Sequence, residues 1–210
     1  GNGTTDTITG VSTLSVSGTT TINTDTVTTS STQLYTGNLT LGAGTTLTTT
    51  NSNVTFNGTL NSDAALTPRN LTLSIGTGTL VIGDSTADVV GGTNALGAIS
   101  ITGKLDLNAA ILNGASAAGA ASITVSTTSN LGANVTTSGT QTYTGNVTLS
   151  GSNRTLTGST ITTNGTISGG TNALTITGDA VFGNGTTDTI TGVSTLSVSG
   201  TTTINTNTVT

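Results

Sequence analysis

The sequence predicts an all-β chain wound as a parallel β-helix, or β-solenoid. Three observations carry that expectation. Short runs alternate apolar with polar residues, one long segment recurs almost unchanged, and the composition suits a narrow core. Alternation with a period of two puts every second side chain on one face of a strand.

The runs can be followed in order. They are Leu14-Ser-Val16, Leu39-Thr-Leu41, Leu71-Thr-Leu73-Ser-Ile75, Ile99-Ser-Ile101, Leu105-Asp-Leu107, Ile123-Thr-Val125, Val147-Thr-Leu149, Leu174-Thr-Ile176 and Leu196-Ser-Val198. β-Branched Thr, Val and Ile favour the pleated backbone because their χ1 freedom is restricted in a helix. Gly, Asn-Gly and Ser-Gly separate the runs as turns. Helical spacing is weak and confined to residues 107–121, where Gly114 and Gly119 break the Ala-rich stretch.

The recurrence is the most specific signal. Residues 1–28 read GNGTTDTITGVSTLSVSGTTTINTDTVT, and residues 183–210 repeat them with Asn207 in place of Asp25. The offset is 182 residues. Residues 1–182 are therefore expected to form one complete unit, and 183–210 the start of the next, in a tandem array. Two echoes lie inside the unit. VTTSSTQLYTGNLTL at 27–41 returns as VTTSGTQTYTGNVTL at 135–149, offset 108, and GGTNAL at 91–96 returns at 169–174, offset 78. A common step near 26 residues gives about seven coils per unit. At ~4.8 Å per coil the unit is then about 34 Å long.

The composition excludes most chemistry. Thr, Gly, Ser and Asn number 58, 30, 22 and 20 of 210 residues, and His, Cys, Met, Trp and Glu are absent. A conventional zinc site, a thiol nucleophile and a His general base are thereby excluded. The bases are Arg69, Lys104 and Arg154 alone, too few for a nucleic-acid footprint. The expectation is no enzyme, no cofactor and no metal. No apolar run is long enough to span a membrane as a helix. The lack of cysteine suits a chain that crosses an oxidising periplasm. The start, Gly1-Asn2-Gly3-Thr4, has no signal-peptide pattern, which suggests a piece of a longer protein.

Disorder is the compositional alternative, but mucin-like stalks are Pro-rich and this chain has one proline, Pro68. A β-sandwich is the structural alternative. It leaves the 26-residue step and the scarcity of aromatics unexplained.

Few motifs point to a site. GNGTTDTIT at 1–9 and 183–191 partly resembles the calcium nonapeptide of RTX proteins. It occurs once per unit, whereas that motif binds through successive turns, so a turn leading into a strand is the better reading. Asp84 and Asp88 are paired acids of the kind that glycosidases use or that bind a cation, but a solvated loop is the better reading. Lys104 and Asp106 share a strand face, as a surface pair. Gly103-Lys104 lacks the glycine spacing of a phosphate loop.

Tyr35 and Tyr143 hold equivalent places in the echo and, with Phe56 and Phe182, either fill a coil or stack on sugar. Asn-x-Thr sequons occur at Asn2, Asn38, Asn53, Asn57, Asn70, Asn134, Asn146, Asn153, Asn164 and Asn184, as expected of so much Asn and Thr. The Thr-x-Thr steps at 24–28, 160–162, 175–177 and 187–191 suggest either an ice-binding array or Thr ladders that support sheet pairing.

The segments TQTYTGNVTLSG (140–151), GGTNALTITG (169–178) and GTTDTITGVSTLSVSGTTTINT (185–206) resemble the repeat region of giant bacterial surface exoproteins. These are of the filamentous-haemagglutinin, two-partner secretion type, with related large repeat adhesins. The resemblance covers the whole chain as a style of sequence. It implies a right-handed parallel β-helix, secretion to the bacterial cell surface, and work in adhesion or biofilm formation. The expected role is a structural module of a stalk or filament; a carbohydrate- or ice-binding face is the alternative. The expected partners are neighbouring copies, end to end or side by side, and surface glycans.

Overall fold

The computed structural model describes residues 3, 5–85, 87–112 and 117–210. Among them there is no helix, and every paired strand runs parallel to its neighbour. Parallel strands need a crossover between them, and here each coil supplies its own.

Each coil has three faces. The first begins at Thr7–Val11, the second at Leu14–Val16 and the third at Thr20–Ile22. The chain then returns to the first face at Thr26–Thr29, where Ile8 stacks on Val27. The first-face ladder continues through Leu47, Leu73 and Ile101 to Val125, Tyr143, Thr163, Phe182 and Ile204. The result is a three-sided β-solenoid of about 9 turns.

The coils are shorter and less even than the expected 26 residues. Steps along the first face range from 18 residues, between Val125 and Tyr143, to 28, between Leu73 and Ile101. Most of the short coils are three strands and three tight corners. The long ones carry insertions at their corners, notably residues 62–70 and 83–88. Between Ile8 and Phe182 the first-face ladder makes eight steps, where the 26-residue step implied seven coils per unit.

The inward residues fill a continuous bore. Leu41, Leu47, Leu73, Leu80, Ile111 and Ile161 are each fully buried. The weakly helical stretch holds two strands, Ala110–Ile111 and Ala120–Val125; Gly114 lies outside the described residues. One corner requires glycine outright. A Cβ on Gly37 would sit 2.5 Å from the carbonyl carbon of Gly18 one coil below. Backbones stacked at the coil spacing leave no room there for a side chain.

Candidate functional site: the hydroxyl face and the polar corners

The outward side of the first face is a column of hydroxyls. Thr7, Thr26, Thr46, Thr72, Ser100, Thr124, Thr142 and Thr162 stack one above another in continuous register. A second column, Thr28, Thr48, Ser74 and Thr102, runs beside it. Strand geometry sets the grid at ~4.8 Å along the axis and roughly 6.7 Å across. The second face is mixed: Ser15, Leu34, Thr55, Val81, Asp106 and Asn130 follow one another outward.

Of the Thr-x-Thr steps, only Thr26, Thr28 and Thr162 join these columns. Thr24 is buried, Thr175 and Thr177 lie on the third face, and Thr189 and Thr191 lie on the second.

The asparagines build the corners. Asn38 Oδ1 accepts from the Thr59 backbone N–H, Asn53 Oδ1 from Thr79, Asn70 Oδ1 from Ala98, and Asn146 Oδ1 from Thr166. Asn134 and Asn153 do the same for Thr155 and Ala173. In each case the residue just before one strand reaches a backbone N–H of the next coil, just before a strand at Thr59, Thr166 and Ala173 and within one at Thr79, Ala98 and Thr155. This supplies a partner for an amide that the sheet ladder leaves unmatched. The sequons at Asn38, Asn53, Asn70, Asn134 and Asn146 follow from this grammar. Asparagine turns the corner, the next apolar residue points into the bore, and threonine points out. Asn2 lies outside the described residues.

Two buried polar networks match atom for atom. Gln33 Nε2 donates to the Val27 and Thr48 carbonyls, and Tyr35 Oη donates to Gln33 Oε1 at 3.1 Å. Gln141 Nε2 donates to the Val135 and Thr157 carbonyls, and Tyr143 Oη donates to Gln141 Oε1 at 3.0 Å. Gln33 belongs to the second face, where it pairs with Leu14, and Gln141 to the first, where it pairs with Ile123. The same local sequence therefore folds identically on different faces. Burial pushes both phenols well above their ordinary pKa.

The aromatic residues are not a sugar platform. Tyr35, Phe56, Tyr143 and Phe182 are at most 1% exposed and fill the bore. Tyr35 and Phe56 are register partners, with ring centroids 5.6 Å apart.

Three of the acids, Asp6, Asp88 and Asp188, act as turn caps. Asp188 Oδ2 accepts from the backbone N–H groups of Asn184 and Gly185, just before the strand Thr189–Thr191. Asp6 Oδ2 likewise accepts from Gly3 in the first copy, whose Asn2 and Thr4 lie outside the described residues. Asp88 Oδ2 accepts from Asp84 N, Ser85 N and Ser85 Oγ, with Thr86 between them outside the described residues. The resemblance to the calcium motif thus corresponds to a carboxylate that caps its own turn. An open cleft beside Gly83, Asp84, Ser85 and Asn108 brings no basic residue to these acids.

The three basic residues are apart. Arg69 forms a two-pronged contact with Asp63, at 2.7 and 2.9 Å. The guanidinium holds the Asp63 carboxyl below its ordinary pKa. Arg154 is buried at the start of a third-face strand and donates Nε to the Ser150 carbonyl at 3.0 Å. Asp106 takes Asn130 Nδ2 as its partner at 2.8 Å, instead of the surface pair expected with Lys104.

Among the described residues no group of three or more metal-ligating acids occurs, and no helix is long and apolar enough to cross a membrane. No family model, curated protein or solved structure matches the chain.

Proposed function

We propose that the chain is a structural repeat module of an extracellular bacterial stalk or filament that supports adhesion or biofilm formation. The observation that carries this reading is the seating of the second 28-residue copy. Its strand Leu196–Val198 stacks on Leu174 to Ile176, and Thr202–Ile204 on Ala180 to Phe182, with no linker between. A unit that opens directly onto the coil below can be added without limit, because each coil needs contact only with its neighbours. Load along the axis is shared by apolar stacking and by backbone hydrogen bonds between coils. Surface display at a bacterial cell agrees with the absence of cysteine and with the sequence resemblance.

Small-angle scattering and circular dichroism test this reading on the 210-residue protein. The expected result is a β-rich rod of about 43 Å for nine turns. A random-coil spectrum, or an isotropic globule, removes the proposal.

A second reading has its own observation. The paired Thr and Ser columns of the first face form a regular array that can hydrogen-bond glycans or ordered water. A glycan array and a thermal-hysteresis assay test it together. Retention of a glycan, or ice shaping, that is lost in Thr72→Lys supports the face; no signal in either assay rejects it.

A further inference from the structure

The 182-residue repeat does not close on a whole number of turns. Ile8 starts the first-face ladder, and eight steps along it reach Phe182. Its sequence equivalent, Ile190, stacks instead on Ile167, in the second-face ladder that begins at Leu14. Leu14 likewise has its equivalent, Leu196, on the third face over Leu174. Ile22 has its equivalent, Ile204, on the first face over Phe182. Every equivalent has moved one face around, so a repeat makes eight turns and a third.

The seating is not strained. Within the copy Ile190 stacks on Val209 as Ile8 stacks on Val27, and Ile190 is fully buried. The Gln33–Tyr35 and Gln141–Tyr143 networks show independently that one local sequence serves on two faces. The three sides are interchangeable because each is built from the same parts: short strands with inward aliphatics, joined at corners rich in Asn and Gly.

We propose that consecutive units of an array are set one face apart, so that a feature carried once per unit points to the three sides of the solenoid in turn. This rests on the reading of the chain as a tandem module. The hydroxyl face of one unit passes to the second face in the next unit, to the third in the one after, and returns in the fourth. The corner loop at residues 62–70, with Leu66 95% exposed and the Asp63–Arg69 ion pair at its base, follows the same path around the edges. Neighbouring loops are then about 40 Å apart along the axis, at ~4.8 Å per turn.

The test uses the 210-residue chain extended by its own repeat to four consecutive units, with Leu66→Cys in each. The native sequence has no cysteine, so maleimide-gold marks only these loops, and Leu66 packs against too little for its loss to unfold the coil. Electron cryomicroscopy then places the marks against the strands. Marks on three different edges in succession, with the fourth over the first, are expected. Marks on a single edge, or a break in the solenoid at each junction, overturn the proposal. The tandem reading fails differently: the natural parent chain would contain no further units, whatever the joined units show.

Discussion

Tyr35 Oη donates to Gln33 Oε1 while the amide of the same Gln33 donates to two backbone carbonyls, all inside an apolar bore. A buried amide with its hydrogen bonds met holds the coil in one arrangement. The same amide deleted leaves several groups unmet.

Gln33→Ala and Gln141→Ala are therefore each expected to lower stability by about 2–4 kcal/mol, from a lost hydrogen-bond network and a small void. The two losses should be alike despite the different faces. Urea denaturation followed by circular dichroism gives the values. Loss at one site and none at the other would contradict the equivalence of the networks.

The corner asparagines should act locally. Asn38→Ala removes the acceptor for the Thr59 amide, and Asn146→Ala that for Thr166. Each is expected to cost about 1 kcal/mol. Hydrogen exchange should quicken at Thr59 or Thr166, respectively, and hardly at all on the far side of the same coil.

Gly37→Ala is expected to cost more than an exposed corner substitution, by about 1–3 kcal/mol. The added methyl meets backbone of the coil below at 2.5 Å, and that backbone is held by its own ladder. Gly3→Ala is the comparison, since nothing lies within 4 Å of a Cβ there. Thermal melting of the two variants orders them.

Stability should vary little from pH 5 to 9, because the chain has no His, Cys or Glu to titrate there. Above pH 10 it should fall. The unfolded tyrosines release protons near their ordinary value of about 10, whereas burial keeps Tyr35 and Tyr143 protonated in the fold. Rising pH then favours the unfolded chain. At the acid end the exposed Asp63–Arg69 pair contributes weakly above about pH 4 and is lost below it. The double variant Tyr35→Phe, Tyr143→Phe should flatten the alkaline fall in a melting series.

Much of the fold is legible in the sequence because the alternation is literal. Leu39-Thr-Leu41 and Val147-Thr-Leu149 read inward-outward-inward, and the strands place them so. The coil length is not legible from the recurrences. Offsets of 182, 108 and 78 invite a common 26-residue coil, yet Ile8 and Ile190, Gln33 and Gln141, and Gly91 and Gly169 all sit on different faces or corners. The repeating element is one side of the coil, not the whole of it.

Inward polar residues hide the rest. Gln33, Thr45, Thr49 and Ser62 are buried where a binary pattern reads surface. Their hydrogen bonds run to backbone at corners and in neighbouring coils, as when Thr45 Oγ1 donates to the Thr24 carbonyl, which no local pattern reveals. The asparagine ladder did leave a signal, Asn-apolar-Thr-apolar. That string also spells a glycosylation sequon, and its structural meaning appears only once the coils are stacked.

The central claim is the out-of-phase stacking of the repeat, and a single cross-link tests it. Thr175 and Ser197 are outward-facing register partners on adjacent parallel strands, a spacing of ~4.8 Å that a disulfide can bridge. In the 210-residue protein, Thr175→Cys with Ser197→Cys should form an intramolecular disulfide on mild oxidation, read by mass spectrometry. If the copy instead stacked on a whole 26-residue turn, Ser197 would lie over Thr171. A disulfide in Thr171→Cys with Ser197→Cys, and none in the first pair, would contradict the account.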